Sequence, residues 1–413
     1  MVARVAWLAL GLLAMANLLG YAARNALMPA LPDLARHLGI DDVEFGLLAS
    51  VFMAGHAVAT PIFGWLGDRY DRRRVIAGGL LLASVAGGAG ALAPGFAGLA
   101  VSRAAVGVGT AAIVPVANSL LGELFDGPRK ATALALFNLG LFLGGVTGFG
   151  LGDGLGFPTA LVVIAAPGLL VAAAIARLRV PPRRAGATPM SLSGLLAAAR
   201  GLLSLRSFRW LLGSTTAMAF ASGAYLAWFV EFLRRDKGMT AGQASGLFAV
   251  CILGGLAGVI TGGRLADRLR RRRPAGRLWA IVGGMAATVP VATVCIYLPL
   301  GPPLYVVAVA TMYFVSWYHA PMAASVDDLT APGGAASAQA LVIFVMHLVG
   351  TAPASWVVGR AIPGLGFRGA MMIPTAMVAL AAVLMIGATR HFAADAAATR
   401  AGRSAGSPPE AVL

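Results

Sequence analysis

Apolar runs of about 20 residues, the length that carries a helix across a bilayer core of about 30 Å, alternate with short polar segments along nearly the whole chain. They predict twelve helices: Val5–Met28, Val43–Leu66, Val75–Ala93, Phe96–Leu121, Ala131–Gly152, Phe157–Arg177, Phe208–Phe232, Ala241–Gly262, Leu278–Leu298, Pro303–Val326, Ser337–Val358 and Ala370–Ala388. Most connections are short and carry Gly, Pro, Asp or Asn, as at Ala93-Pro94-Gly95 and Asp126-Gly127-Pro128. Such tight turns force successive spans to run antiparallel. The predicted class is an all-α polytopic membrane protein.

One segment occurs twice. Gly64-Trp65-Leu66-Gly67-Asp68-Arg69-Tyr70-Asp71-Arg72-Arg73 follows the second span, and Gly263-Arg264-Leu265-Ala266-Asp267-Arg268-Leu269-Arg270-Arg271-Arg272 follows the eighth, 199 residues later. The repeat predicts two pseudo-symmetric six-helix bundles, over residues 1–177 and 208–390, of the duplicated kind that many transporters use to enclose a central site. Between them, 178–207 is polar, basic and Pro-containing, a cytoplasmic linker with a short amphipathic piece near Leu192–Leu205. Residues 391–413 are poor in large apolar side chains, and a disordered cytoplasmic tail is expected there.

Composition agrees with lipid as the main solvent. Hydrophobic residues make up 59% and charged residues 12%, against about 25% charged in soluble domains. The net charge of +16 would suggest nucleic acid if the cations were scattered. Most of the 32 Lys and Arg residues instead fall in alternate loops and in the two tails, the distribution that places both termini in the cytoplasm. The cations therefore report topology, and no nucleic-acid partner is expected. Cys251 and Cys295 both lie inside spans and carry neither a disulfide framework nor a metal spacing. Gly107-Val108-Gly109 is not a phosphate loop, because no Lys-Ser or Lys-Thr follows it. No cofactor, no metal and no enzymatic activity are expected.

Two arginines interrupt the spans. A guanidinium in a bilayer needs a counter-ion, backbone carbonyls or a wet cavity, so Arg24 and Arg103 are functional candidates. Asn17, Tyr21 and Arg24 share one helical face, as do Arg103, Thr110 and Asn118, and no carboxylate lies mid-span in the first half. An anionic group of the solute would supply the missing charge. The competing expectation is that both arginines snorkel to the membrane surface. In the second half, Tyr225 and Trp228 either enclose an apolar part of the solute or anchor an interface, and Glu231 is expected to be solvated beside Arg234 and Arg235. His56, His319 and His347 lie inside spans and are candidate proton-sensitive groups. In the repeated segment, Asp68, Arg69, Arg72, Arg73, Asp267 and Arg268 are expected to form a charge network that gates one face.

The repeated segment resembles the loop motif of the major facilitator superfamily. Asn17-Leu18-Leu19-Gly20-Tyr21 leading to Arg24 and Leu31-Pro32, Val51-Phe52 through Gly64, and Ser102-Arg103 through Gly107-Val108-Gly109 are similar to its spinster-like branch. Organic-anion symporters of the superfamily share part of this pattern. The resemblance implies a monomeric secondary transporter of the bacterial inner membrane that moves a small organic solute, anionic or amphiphilic like a lysolipid, by alternating access. It also implies acids before the first-span arginine and after the fourth-span glycines. Here those positions are Ala23 and Thr110, which leaves the coupling ion, a proton or none, open. Two alternatives remain: an exporter of hydrophobic or cationic compounds, whose fifth-span motif carries proline where this chain has Gly145, and a non-transporting sensor that kept the fold.

Overall fold

The computed structural model describes residues 2–125, 128–180, 199–330 and 335–405, nearly all of them helical. In lipid every backbone N–H and C=O must be satisfied within the segment, and an α-helix does this at every residue. The first half holds α1 (Val2–Asn25), a 3-10 turn (Met28–Ala30), α2 (Leu31–Leu38), α3 (Asp42–Arg69), α4 (Arg72–Gly90), α5 (Phe96–Thr110), α6 (Ile113–Leu124), α7 (Pro128–Leu155) and α8 (Thr159–Arg177). The second holds α9 (Arg206–Arg235), α10 (Ala241–Arg272), α11 (Gly276–Tyr297), α12 (Pro302–Val315), a 3-10 turn (Ser316–Tyr318), α13 (His319–Asp328), α14 (Ala335–Val345), a π-helical turn (Met346–Thr351) and α15 (Ala352–Ala405). α15 is interrupted at Gly366, where φ is 66°.

Each of the twelve expected spans meets a helix. The fourth and tenth are each divided, at Ala111–Ala112 and at Ser316–Tyr318, and the twelfth shares α15 with the end of the eleventh. Among the described residues, nine helical stretches are long and apolar enough to cross a membrane. Two helix starts, those of α3 and α4, are capped by aspartates, Asp41 and Asp71. The Asp41 side chain accepts from the Glu44 N–H (2.8 Å) and the Glu44 carboxylate from the Asp41 N–H (3.3 Å), a reciprocal cap that begins α3.

The contacts group the chain into two compact units. The first comprises Met1–Pro189, Gly223–Ala249 and Thr351–Ala370, and the second Met190–Ser222, Val250–Gly350 and Met371–Leu413. The chain therefore changes unit within the expected linker, inside α9 and α10, in the π-helical turn and inside α15.

In the first unit, α1 and α7 are joined along a row of glycines. A Cβ on Gly140, Gly144, Gly148 or Gly152 would fall 2.9, 2.3, 2.6 or 2.1 Å from the carbonyl oxygens of Ala14, Leu18, Ala22 and Ala26. Both series step by four residues, so backbone lies on backbone for three turns, the close approach that small residues permit between membrane helices. Gly107 likewise admits the Phe52 carbonyl against α5. Leu10, Leu13, Ile113, Val116, Phe137 and Ile175 fill the core of this unit.

In the second unit, Gly262 and Gly284 flank Trp317, Gly258 receives the Tyr313 carbonyl, and the Ser214 hydroxyl donates to the Ala381 carbonyl (2.7 Å). The expected disorder from residue 391 is corrected here, since α15 continues to Ala405. Its Ala-rich run from Ala393 to Thr399 favours helix, Phe392 and Ala396 are buried, and Asp395 accepts from the Ser207 N–H and hydroxyl (2.8 and 2.7 Å). Of the amphipathic piece near 192–205, only a helical turn over 199–204 is described. The rest, with Pro181-Pro182-Arg183-Arg184 and 406–413, lies outside the described residues.

Candidate functional site: a cationic cleft at the end of α1

The last turn of a helix leaves carbonyls without intrahelical donors, and at the end of α1 a distant side chain supplies donors. The Arg103 guanidinium, carried by α5, donates to the Ala23 carbonyl (2.8 Å) and the Arg24 carbonyl (3.1 Å). It also lies over the Phe52 ring, 4.8 Å from the centroid. Arg103 is only 1% exposed, so its charge is held inside the unit by a helix C-terminus, where cations are favoured.

Arg24 and Arg103 line one cleft together with Asn25, Phe52, Thr351 and Ser355. In this conformation it is narrow: its accessible volume is about 20 Å³, little more than one water molecule needs (about 10–15 Å³). Two guanidiniums and no carboxylate are among the residues lining it. Asn25 is 5% exposed and its Oδ1 has no hydrogen-bond partner, an unfilled polar position beside the cations. Among the described residues, neither Arg24 nor Arg103 forms an ion pair.

The other expected site residues lie outside this cleft. Asn17 is buried and donates from Nδ2 to the Phe137 carbonyl (3.0 Å), tying α1 to α7. Tyr21 is half-buried on α1 beside Gly144. The Thr110 hydroxyl donates to the Gly107 carbonyl (3.0 Å) and sits 3.2 Å from His56 Nδ1. Asn118 lies on α6 with its Oδ1 buried and unpartnered. Trp228 is fully buried, donates from Nε1 to the Ser355 carbonyl (2.9 Å) and meets Phe45 edge to face. Tyr225 is half-buried on the same helix, His347 sits in the π-helical turn, and His319 is exposed at the start of α13.

Around the repeated segment, Arg72 forms a two-pronged pair with Glu123 at the end of α6 (2.8 and 2.9 Å). Arg73 bonds Asp71 (2.7 Å) and the Leu178 carbonyl, and this neighbour holds the Asp71 carboxyl below the usual carboxylate range. Arg69 is exposed, its guanidinium over the Trp65 ring, and the Asp68 side chain lies outside the described residues. In the second unit Arg277 bonds Asp267 (3.3 Å) and Asp328 (3.0 Å), and Arg268 is exposed. The same interval of 205 residues separates Arg72 from Arg277 and Glu123 from Asp328. The sequence reading missed this second pairing, although the acids that end the fourth and tenth spans at that interval could have revealed it.

These pairs tie the start of one helix to the end of the next span within each half. Arg72 is 7% exposed and Glu123 29%, so removal of the acid strands a buried guanidinium, whereas removal of the base leaves a carboxylate that water can reach. Glu123→Ala is therefore expected to lower unfolding stability by about 1–3 kcal/mol, and more than Arg72→Ala does. Thermal unfolding of the two purified variants checks the order. Equal losses would show that the pair contributes through packing alone.

Glu231 requires a correction. Expected to be solvated, it is 1% exposed and pairs with Arg234 (3.0 Å). α9 runs beyond the expected span to Arg235, and its charged neighbours are not free to solvate the acid, since Arg235 pairs with Asp42 at the start of α3.

Comparison with known proteins now identifies the architecture. The family model described as Major Facilitator Superfamily matches residues 13–352. Protein spinster homolog 3 of Danio rerio is 30% identical over 86% of this chain and 76% of its own length. The sphingosine-1-phosphate transporter SPNS2 of Xenopus tropicalis is 28% identical over 85% of this chain and 72% of its own. A crystal structure of a bacterial homologue of the human lysosomal transporter spinster, inward-facing and unoccupied, aligns with a TM-score of 0.83 at 19% identity, covering 95% of this chain and 98% of that one. By this family match and these relatives, the chain belongs to the major facilitator superfamily of transporters, in its spinster-like branch.

Proposed function

We propose that this protein is an alternating-access carrier of a small organic solute with one anionic head group, amphiphilic in the manner of a lysolipid. The observation that carries this reading is the pair of guanidiniums, Arg24 and Arg103, on a cleft whose lining has no acid. Buried charge of one sign calls for a counter-charge, and in this site the solute supplies it. The named activity of the SPNS2 relatives, sphingosine-1-phosphate transport, is chemistry of the same kind. In this conformation the cleft is narrow, about 20 Å³, so head group and acyl portion alike would enter space that opens during the cycle.

The reading places the protein in a bacterial inner membrane as a monomer with both termini in the cytoplasm, its two six-helix bundles formed by 1–177 and 208–390. The Arg72–Glu123 and Arg277–Asp328 ends then face the cytoplasm, and the Asp42 end of α3 faces outward.

The test is thermal stabilisation of the purified protein by sphingosine-1-phosphate and lysophosphatidate, with sphingosine and an alkyl ammonium as charge controls. The expected result is stabilisation by the two phosphates that grows with the logarithm of their concentration above the dissociation constant. Flux of the bound lipid into protein-containing vesicles would follow and separates a carrier from a sensor. Stabilisation by sphingosine equal to that by its phosphate would overturn the anion reading.

A further inference from the structure

Among the described residues Glu231 is the only fully buried carboxylate, and it does not line the cationic cleft. It lies on α9, where its Oε1 is 3.0 Å from Arg234 Nη1. The same nitrogen donates to the Pro29 carbonyl (3.0 Å) in the 3-10 turn just beyond Arg24 and Asn25. One guanidinium therefore joins a buried acid to the segment that carries the anion site. The charged groups that act on Glu231 are Arg234 and Arg235 on its own helix and Asp42 on α3. Arg235 is engaged by Asp42, and Asp236 by Arg368 of α15 and by Lys237. Arg234 is thus the cation paired directly with Glu231, and its side chain, at the last turn of α9, is 21% exposed.

We infer that Glu231 is a proton-binding site of the carrier, and that its protonation releases the Met28–Ala30 turn from α9. The inference rests on the carrier reading. A proton from water adds to a carboxylate oxygen of Glu231. Arg234 stays charged but loses its counter-ion, and a buried cation stripped of its partner is costly. It turns toward water and gives up the Pro29 carbonyl. Ionisable residues within membrane spans commonly mark proton relays, and Glu231 supplies the acid that Ala23 and Thr110 do not. Because Pro29 follows Arg24 on one short stretch of chain, protonation and anion binding act on the same moving piece.

The test reads this motion without a solute. Spin labels on cysteines at exposed Ala35 and Gln243, in a Cys251→Ser, Cys295→Ser background of the full chain in lipid nanodiscs, report the distance between α2 and α10 between about pH 5 and 8. The distance is expected to lengthen as pH falls. Glu231→Gln should hold the acid-side distribution at every pH, and Glu231→Asp should retain the shift. A protonated-carboxyl infrared band should appear on acidification and be lost in Glu231→Gln. An unchanged pH response in Glu231→Gln, or none in the parent, overturns the proton site. Neither outcome touches lipid stabilisation at fixed pH, so failure here is distinct from failure of the anion reading.

Discussion

Arg24→Gln is expected to weaken binding of sphingosine-1-phosphate or lysophosphatidate about 10- to 100-fold while leaving the unfolding temperature close to that of the parent. Hydrogen bonds to charged groups contribute about 1.5–3 kcal/mol, and each 1.4 kcal/mol is tenfold in affinity. Arg24 lines the cleft without an ion-pair partner among the described residues, so its removal leaves no protein group stranded. Arg24→Lys keeps the charge but loses the planar fork that grips two oxygens at once, and it should recover only part of the affinity. Titration of thermal stabilisation with either lipid measures both variants. Parental affinity in Arg24→Gln would remove this side chain from the solute site.

Arg103→Met should behave in the opposite way, as a stability defect first and a binding defect second. Methionine fills much of the same volume but strands the Ala23 and Arg24 carbonyls at the end of α1. A buried polar group left unpaired costs about 1–3 kcal/mol. Two such groups would make this one of the more damaging single substitutions in the first unit. Lysine can reach one carbonyl well but cannot fork across both, so Arg103→Lys should fall between parent and Met. Since Arg103 fixes the helix end from which Arg24 projects, losses of affinity in Arg24→Gln and Arg103→Met should combine non-additively in a double-mutant cycle. Full stability in Arg103→Met with lost binding would make Arg103 a direct ligand instead.

The spans were legible because lipid allows few alternatives: an apolar run of sufficient length must be helical and must cross. The row of glycines on α7 was legible for a related reason, as four-residue spacing of the smallest side chain has little use other than close packing. The cleft was readable only in outline. Arg24 and Arg103 stand out as cations in apolar surroundings, but the partners of Arg103 are backbone carbonyls, which have no signature in side-chain sequence. The polar stripe through Thr110 and Asn118 assumes a straight fourth span, but Pro115 has no N–H for the Ala111 carbonyl four residues back, and the helix divides at Ala111–Ala112. Glu231 looked solvated because its neighbours in sequence are charged. The arginines beside it are instead engaged by residues distant in sequence, Arg234 by the Pro29 carbonyl and Arg235 by Asp42. The helical tail was missed because large apolar residues were sought where alanine and one serine–aspartate contact were sufficient.

The α1–α7 rail sets a limit on how this protein can change. Its four glycines do not line the cleft, yet any side chain placed on them would push away the helix that presents Asn17, Tyr21 and Arg24. Variation that retunes cargo preference is therefore expected at cleft-lining side chains such as Asn25 and Met53, away from the seam. Two proteins of this kind could differ widely in what they carry while sharing the same bare seam.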